Sequence, residues 1–520
     1  MPDLTRPASL TDDFLQRLVA RVPSTSGGTW KLTEVYTGEV LVDLPQSTPA
    51  DIERAFARSR QAQREWSQWP LRKRLKVFRT FHSLVLERNE TIVDLVQAES
   101  GKARRMAFEE TLDVPMVTGY YLKRAAKVLA PKKHPGPVPV VSSSLEVRQP
   151  KGVVGIIAPW NFPFATGISD AVPALIAGNG VVVKPDNKTA LSPLYGVELL
   201  EEAGLPPGLF QVVCGDGPDV GPTLIDNANY VMFTGSTATG RVIGERAGRN
   251  LIGCCLELGG KNPMIVLPDA DLDDTVKGAL FGAFGNTGQI CMHIERMYVH
   301  DSIYDEFRQR FVAATKELRL AASYDFEPQV GSLVSVEHKH RVASHVEDAI
   351  AKGATVLTGG RERPDLGPAF YEPTILEGVT RDMLAGECET FGPVVALHRY
   401  SSEDEAVALA NDTDYGLNAS VWGADVADAT RVGRRIHSGN VNINDILATA
   451  YASKASPSGG VKQSGVGARH GDQGLLKYTD SQNVGILRKQ VMQPPDDLPY
   501  EQNVQQQLKG LAVMRRLGIR

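Results

Sequence analysis

Apolar residues recur at three- and four-residue spacing through 51–130, in stretches such as ADIERAFARSRQAQREW and RLKVFRTFHSLVLERNETIVDLVQAESGK. That spacing lays one apolar stripe along each segment and predicts helices, with Gly101 as a stop. The pattern breaks at a Pro-rich connector, APKKHPGPVP (130–139). The segment VVSSSLEVRQP (140–150) then reads as an extended arm whose β-branched residues end at Pro150. From 152 onward, short apolar runs (GVVGIIAP, GVVVKP, LFQVVCG, YVMFTG) alternate with amphipathic segments such as SPLYGVELLEEAGLP and ATGRVIGERAG. Unbroken short apolar runs suit parallel strands buried on both faces. Their alternation with helices predicts an α/β, doubly wound sheet of dinucleotide type. A second α/β region follows from Glu257, with PMIVL, RMYVH, ATVLTGG, PVVALHRY and NASVWG as strands and SIYDEFRQRFVAATKEL as one of the helices. The end, VQQQLKGLAVMRRLGIR, reads as a basic amphipathic helix, either packed or frayed as a terminal helix or lying on a membrane surface.

Composition narrows this picture without changing it. The 520 residues exceed what one core of roughly 250–300 residues holds, so at least two domains are expected. The apolar content of 42% and charged content of 22% describe an ordinary globular chain. A net charge of −5 gives no reason to expect nucleic acid or an anionic membrane as a partner. No run of about 18 apolar residues is present to span a bilayer; the most apolar stretch is broken by Pro159, Asn161 and Pro163. Asp3, Asp12 and Asp13 near the start, without an apolar core, argue against a secretory signal or transit peptide, and the expected location is cytoplasmic. The five cysteines (214, 254, 255, 291 and 388) contain no CxxC and do not suggest a disulfide scaffold. Cys254 and Cys255 read as small core residues.

Two short segments carry the candidate chemistry. LELGGKNP (256–263) puts a carboxylate, Glu257, beside two glycines, and GQICMHIER (288–296) puts a thiol, Cys291, in a glycine-led turn. A thiol that attacks carbon and a carboxylate that activates water suggest a two-step reaction through a thioester. On its own a free cysteine is more often a buried, inert residue. Gly285, Gly288 and a helical pattern after Cys291 predict a helix N-terminus that would lower the thiol pKa. Asn161, between two prolines in PWNFP, is either a side-chain oxyanion donor or an Asx-type turn residue. For a nucleotide, GDGPDVG (215–221) is a weak Gly-rich turn, and FTGSTATG (233–240) is either a pyrophosphate-facing helix start or an ordinary cap. Lys184 ends a strand and either reaches a ribose or snorkels to the surface. No P-loop is present. His293 is expected to be exposed, His338 and His340 to lie on a solvated helix, and no metal site is assigned.

Taken together, PWNFP, VVVKP, FTGSTATG, LELGGKNP, GQICMHIER and ETFGPV (389–394) resemble the aldehyde dehydrogenase superfamily across about residues 30–490. NDTDYGLNASVW, GGVKQSGVGARHG, GLLKYTDSQ and the ISD after PWNFPFATG are most similar to its succinate-semialdehyde dehydrogenase branch of actinobacterial type. The resemblance implies Cys291 as nucleophile, Glu257 as general base, and Asn161 with the Cys291 N–H as oxyanion hole. It implies cofactor contacts at Ile157, Pro159, Trp160, Lys184, Asn187, Gly217, Gly221, Phe233, Gly235, Ser236, Leu258, Glu389 and Phe391. It divides the chain into a cofactor-binding domain (1–136 and 152–256), a catalytic domain (257–477), a small β oligomerisation arm (137–151 and 478–497) and a C-terminal helical tail (498–520). The implied partners are a small-molecule aldehyde and further copies of the chain, as homodimer or homotetramer.

Departures from the family pattern bear on specificity. Asn187 stands where many NAD-preferring members have a glutamate, and a neutral side chain near Lys184 and Lys188 tolerates a 2′-phosphate, so NADP is expected over NAD. Ser169, followed by Asp170, stands where several succinate-semialdehyde enzymes carry an arginine. The expected substrate contacts are therefore Asn161, Phe162, Ser169, Arg296 and Ser456, with Arg296 pairing with a terminal carboxylate. Tyr451, Ser453 and Lys454 are further candidates on the same loop as Ser456. A broad-specificity aldehyde dehydrogenase is the alternative reading.

Overall fold

The computed structural model describes residues 4–137, 141–489, 498–516 and 518. Contacts divide the chain into two compact units, one of Met1–Val128 with Pro150–Thr479 and one of Leu129–Gln149 with Asp480–Arg520.

After the helix Asp12–Val19, the larger unit has a strand pair, Thr29–Thr33 and Val40–Pro45, followed by four helices: Pro49–Gln68, Leu71–Glu87, Asn89–Ser100 and Arg104–Val128. The start and stop chemistry is local. Thr48 and Asp51 form a reciprocal capping box before Pro49, and Gly101 ends the third helix at φ +69°. A six-stranded sheet follows, in the order Gly465–Val466, Gly253–Glu257, Tyr230–Thr234, Val153–Ile157, Gly180–Lys184 and Phe210–Val212. Five strands are parallel and Gly465–Val466 joins antiparallel. The four apolar runs read from the sequence are four of these strands. Val153–Ile157 lies between Gly180–Lys184 and Tyr230–Thr234, so strand order reverses there and a crevice opens at the carboxyl ends.

A second sheet has seven strands, ordered Thr355–Thr358, Thr374–Glu377, Val394–Tyr400, Ile294–His300, Asn262–Val266, Ser420–Trp422 and Asn442–Ile443. All pairs except the first are parallel. Gly465–Val466, far along the chain, returns to pair with Leu256 and Glu257 and so adds an edge strand to the first sheet.

The smaller unit contains a three-stranded sheet ordered Thr479–Leu487, Ser142–Pro150, Lys132–Pro135, and the helix Tyr500–Arg516. Of the expected arm and tail, residues 138–140, 490–497, 517, 519 and 520 lie outside the described residues. No described helix is long and apolar enough to cross a membrane.

Candidate active site

The PWNFP turn leaves the carboxyl end of Val153–Ile157 at the reversal point and is held by a buried ion pair. Lys102 donates to the Asn161 carbonyl oxygen at 2.7 Å and pairs with Glu110. The Glu110 carboxylate accepts the backbone N–H groups of Phe164 (2.8 Å) and Ala165 (3.2 Å), opening the short π-helix Ala165–Ser169. The desolvation cost of both ions is offset by their mutual attraction and these hydrogen bonds. The turn cannot rotate without orphaning them. Asn161 is thus fixed with its Nδ2 donating to the Gln289 carbonyl at 3.0 Å, two residues before Cys291.

Cys291 follows a tight turn, Gly285–Gly288, in which Asn286, Thr287 and Gly288 have φ of +50°, +56° and +70°. A Cβ on Gly288 would lie 2.0 Å from the Gly392 carbonyl oxygen, so the turn and the ETFGPV loop approach only through glycine. The expected helix after Cys291 is corrected here. The chain enters the strand Ile294–His300, which pairs in parallel between the strands Asn262–Val266 and Val394–Tyr400. Without a helix N-terminus, burial dominates and pushes the thiol up to about 12; the Arg469 charge opposes this, and Glu389 and Glu257 add to it. Asn262 Nδ2 fixes the carbonyls of Cys291 (2.8 Å) and His293 (2.7 Å). His293, expected at the surface, is buried instead, with Nδ1 2.9 Å from the Ile290 carbonyl and Nε2 3.5 Å from Glu295.

Glu257 ends the strand Gly253–Glu257 and is buried. Its carboxylate has Cys255 Sγ at 3.9 Å and an Arg469 terminal nitrogen at 3.9 Å. Burial raises its pKa, opposed first by Arg469 and then by Lys477. A second buried pair shapes the opposite wall. Lys261 pairs with Glu295 and donates to the carbonyls of Ala385 and Cys388 (both 2.7 Å), while Glu295 accepts the N–H groups of Thr390 and Phe391. This holds Phe391 at φ +56° and Glu389 against the Gly260 N–H (2.8 Å).

A cleft of about 350 Å³ runs past Cys291 and Asn161. Pro159, Trp160, Gly235, Ser236, Leu258, Glu389 and Phe391 line it. The donor set fits a dinucleotide. Ser236 lines the cleft and caps the helix Thr237–Arg249, which places a helix N-terminus at its wall. A Cβ on Gly235 or Gly259 would meet the Phe233 ring at 2.5 Å or the Glu389 carboxylate at 2.3 Å. The Trp160 and Phe391 rings stand edge-on at 5.4 Å. Sequence reasoning missed Thr234, Arg341 and His338 on this wall. His338 is not solvated: Nε2 is 2.7 Å from the Phe391 carbonyl, the ring packs on Trp160, and burial lowers its pKa to about 4.

Other expected cofactor residues do not line that cleft. Lys184 is buried, with Nζ donating to the Pro185 carbonyl at 3.0 Å, so it does not snorkel. Asn187 donates to Gln46 (3.1 Å) and accepts the Gly215 N–H (3.1 Å), and Lys188 faces the cleft in its place. Ile157 and Phe233 lie within the sheet. Gly217 and Gly221 lie in the helix Gly217–Asn227, whose proline-led start takes the place of a phosphate turn.

The substrate assignments need more correction. Phe162 packs with Cys291, Leu447 and Tyr451 against Met106, Ile290, Met292 and Leu417, forming an apolar wall at the thiol. Arg296 is buried on the strand Ile294–His300 and donates to the carbonyls of Lys261, Leu409 and Ala410. These bonds engage the guanidinium, and Arg296 lines neither the cleft nor the cavity containing Ser169, which removes the support for it as a carboxylate ligand. The Ser169 hydroxyl donates to Asp113, whose carboxylate pairs with Lys454 at 2.6 Å. Ser456 is exposed and lines neither the cleft nor the cavity containing Ser169.

Comparison with known proteins agrees with this geometry. Residues 22–484 match the model of the aldehyde dehydrogenase family. A Mycolicibacterium smegmatis protein provisionally named succinate-semialdehyde dehydrogenase [NADP(+)] is 48% identical over 491 residues, 94% of this chain and 95% of that one. The 3-sulfolactaldehyde dehydrogenase of Pseudomonas putida is 36% identical over 462 residues, 88% of this chain and 94% of that one. The crystal structure of Staphylococcus aureus betaine aldehyde dehydrogenase in complex with NAD+ superposes with a TM-score of 0.87 at 32% identity, over 94% of this chain and 99% of that one. The chain belongs to the aldehyde dehydrogenase family.

Proposed function

We propose that this protein oxidises succinate semialdehyde to succinate by covalent catalysis on Cys291, with NADP favoured over NAD. The observation that carries the reading is the meeting of Cys291 and Asn161 in one cleft with Trp160, Ser236, Glu389 and Phe391. The Cys291 sulfur adds to the aldehyde carbon, and the oxyanion of the resulting thiohemiacetal accepts hydrogen bonds from Asn161 Nδ2 and the Cys291 N–H. A bound nicotinamide cofactor supplies the hydride acceptor that converts this adduct to a thioester. Glu257 then takes a proton from water, whose oxygen attacks the thioester carbon; the C–S bond breaks, and the acid and the free thiol result. Pro159, Trp160, Gly235, Ser236, Leu258, Glu389 and Phe391 would hold the cofactor.

NADP preference is supported by the neutral Asn187, by Lys188 and Arg341 on the cleft wall, and by the name of the mycobacterial relative. An anionic aldehyde is supported by two relatives named for succinate semialdehyde and 3-sulfolactaldehyde, which carry a carboxylate and a sulfonate. Broad aldehyde specificity is a second reading, favoured by the apolar wall at Cys291 and by the removal of Arg296 from the substrate contacts. Comparing kcat/KM for succinate semialdehyde, glutarate semialdehyde and hexanal with each cofactor tests both. Equal values for hexanal and succinate semialdehyde would sink the first, and a lower value with NADP than with NAD would overturn the cofactor preference.

A homo-oligomer, dimer or tetramer, is also proposed. Its support lies in the edge strand Thr479–Leu487, which exposes Val484, Ile486 and Leu487 beside an unpaired backbone edge.

A further inference from the structure

Glu257 has few partners. Among the described residues, the cation at ion-pair distance from its carboxylate is Arg469, 3.9 Å away. Arg469 is itself pinned on the opposite side: Nε lies 2.9 Å from Asp170 Oδ1, one terminal nitrogen lies 2.9 Å from Asp170 Oδ2, and the same nitrogen donates to the Thr234 hydroxyl. Asp170 and Arg469 are both largely shielded from water, with side-chain exposures of 7% and 11%.

The backbone fixes this arrangement. Gly465 pairs with Glu257 and Val466 with Leu256, and the Leu258 N–H donates to the Ser464 carbonyl at 2.9 Å. Gly467, at φ +90°, lets the turn close over Cys255; a Cβ there would lie 3.0 Å from the Cys255 sulfur. Two backbone bonds with Ser458 (2.9 and 2.7 Å) then hold Arg469. SGVGARHG therefore delivers a guanidinium to the carboxylate about 200 residues earlier in the chain.

We propose that Arg469, oriented by Asp170, is a positioning residue that keeps the Glu257 carboxylate ionised, and so competent as the base that hydrolyses the acyl-Cys291 thioester. The proposal rests on the reading of Glu257 as that base. The charged and titratable groups facing Glu257 are Arg469 and Lys477 from the C-terminal segment, Asp170 from the turn before Ala171–Ala177, Cys255 on its own strand, Tyr230 on the neighbouring strand and Cys291 from the facing turn. Burial and the Asp170 charge favour the protonated acid, while Arg469 and Lys477 favour the carboxylate, Arg469 more strongly. Removing Arg469 therefore shifts the balance toward the protonated acid. Removing the Asp170 charge acts in the opposite direction, because it deletes a repulsion and leaves the guanidinium uncompensated.

The test loads acetyl onto Cys291 with p-nitrophenyl acetate, which releases nitrophenolate. It then follows loss of the acetyl group by intact-protein mass spectrometry across pH 5–10. In hydrolysis, water oxygen bonds the acyl carbon, its proton passes to residue 257, the C–S bond breaks and acetate leaves the regenerated thiol. The expected result for R469Q is that the rising limb of deacetylation against pH moves up by about one to three units. R469K should restore it part of the way, and D170N should move it down. An R469Q or D170N limb within experimental error of wild type overturns the proposal, as does a loss in R469Q that rising pH does not recover. If R469Q does not fold, R469K and D170N decide in the same way. E257Q separates the two readings. Deacetylation at the wild-type rate in E257Q removes the base itself; its loss in E257Q with unshifted Arg469 and Asp170 variants removes only the proposal.

Discussion

Burial without a helix N-terminus leaves Cys291 a poor nucleophile before substrate and cofactor arrive, with its thiol pushed up to about 12. A raised thiol pKa means that the thiolate fraction grows roughly tenfold per pH unit throughout the range below it. Iodoacetamide alkylation of Cys291 in the cofactor-free protein should accelerate in that proportion from pH 7 to 10. An ordinary thiol would level off near pH 8.5. Arg296 illustrates the opposite relation between sequence and role. The family resemblance suggested a substrate contact, yet the guanidinium joins the backbone carbonyl of Lys261 to those of Leu409 and Ala410 in the helix Glu403–Asn411. R296M should lower stability by about 1–3 kcal/mol, the cost of an orphaned buried acceptor. It should leave the ratio of kcat/KM between succinate semialdehyde and hexanal unchanged, as thermal melts and steady-state kinetics would show.

At the scale of elements, turns and strands read well from the sequence where local chemistry decides them. The short apolar runs became strands, Gly101 stopped its helix, and PWNFP, FTGSTATG and ETFGPV brought their residues to one cleft. What the sequence hid depends on contacts between distant segments. The helical pattern after Cys291 gave way to a strand because Ile294–His300 is needed between two neighbours, an override of local periodicity by tertiary pairing. Arg469 reached Glu257 only because an antiparallel strand returned to the first sheet. The buried pair Lys102–Glu110 carried no motif, and nothing in LELGGKNP or GQICMHIER announced that Lys261 and Glu295 would pair, yet these pairs aim the turns that hold Asn161 and Phe391. E110Q leaves Lys102 buried and uncompensated, so it should destabilise the protein by about 3–5 kcal/mol in denaturant melts. G259A puts a methyl group 2.3 Å from the Glu389 carboxylate, and overpacking of that kind should weaken cofactor binding about tenfold by fluorescence titration.

For the whole molecule, the larger unit contains both sheets and every residue placed at the site, while the smaller unit exposes an apolar strand edge. If copies associate through that edge, V484D/I486D should reduce the sedimenting mass without lowering the thermal midpoint of the larger unit by more than a few degrees. The proposed chemistry joins these scales in one cycle: a thiol that would become acylated and a carboxylate that would release it. The most direct measurement is a stopped-flow trace of E257Q with succinate semialdehyde and NADP+, paired with intact-protein mass spectrometry. The account predicts a burst of about one NADPH per site, steady turnover reduced by roughly 10²–10³-fold, and a succinyl adduct at Cys291. Wild-type steady turnover in E257Q, or a burst with no adduct on Cys291, would contradict it.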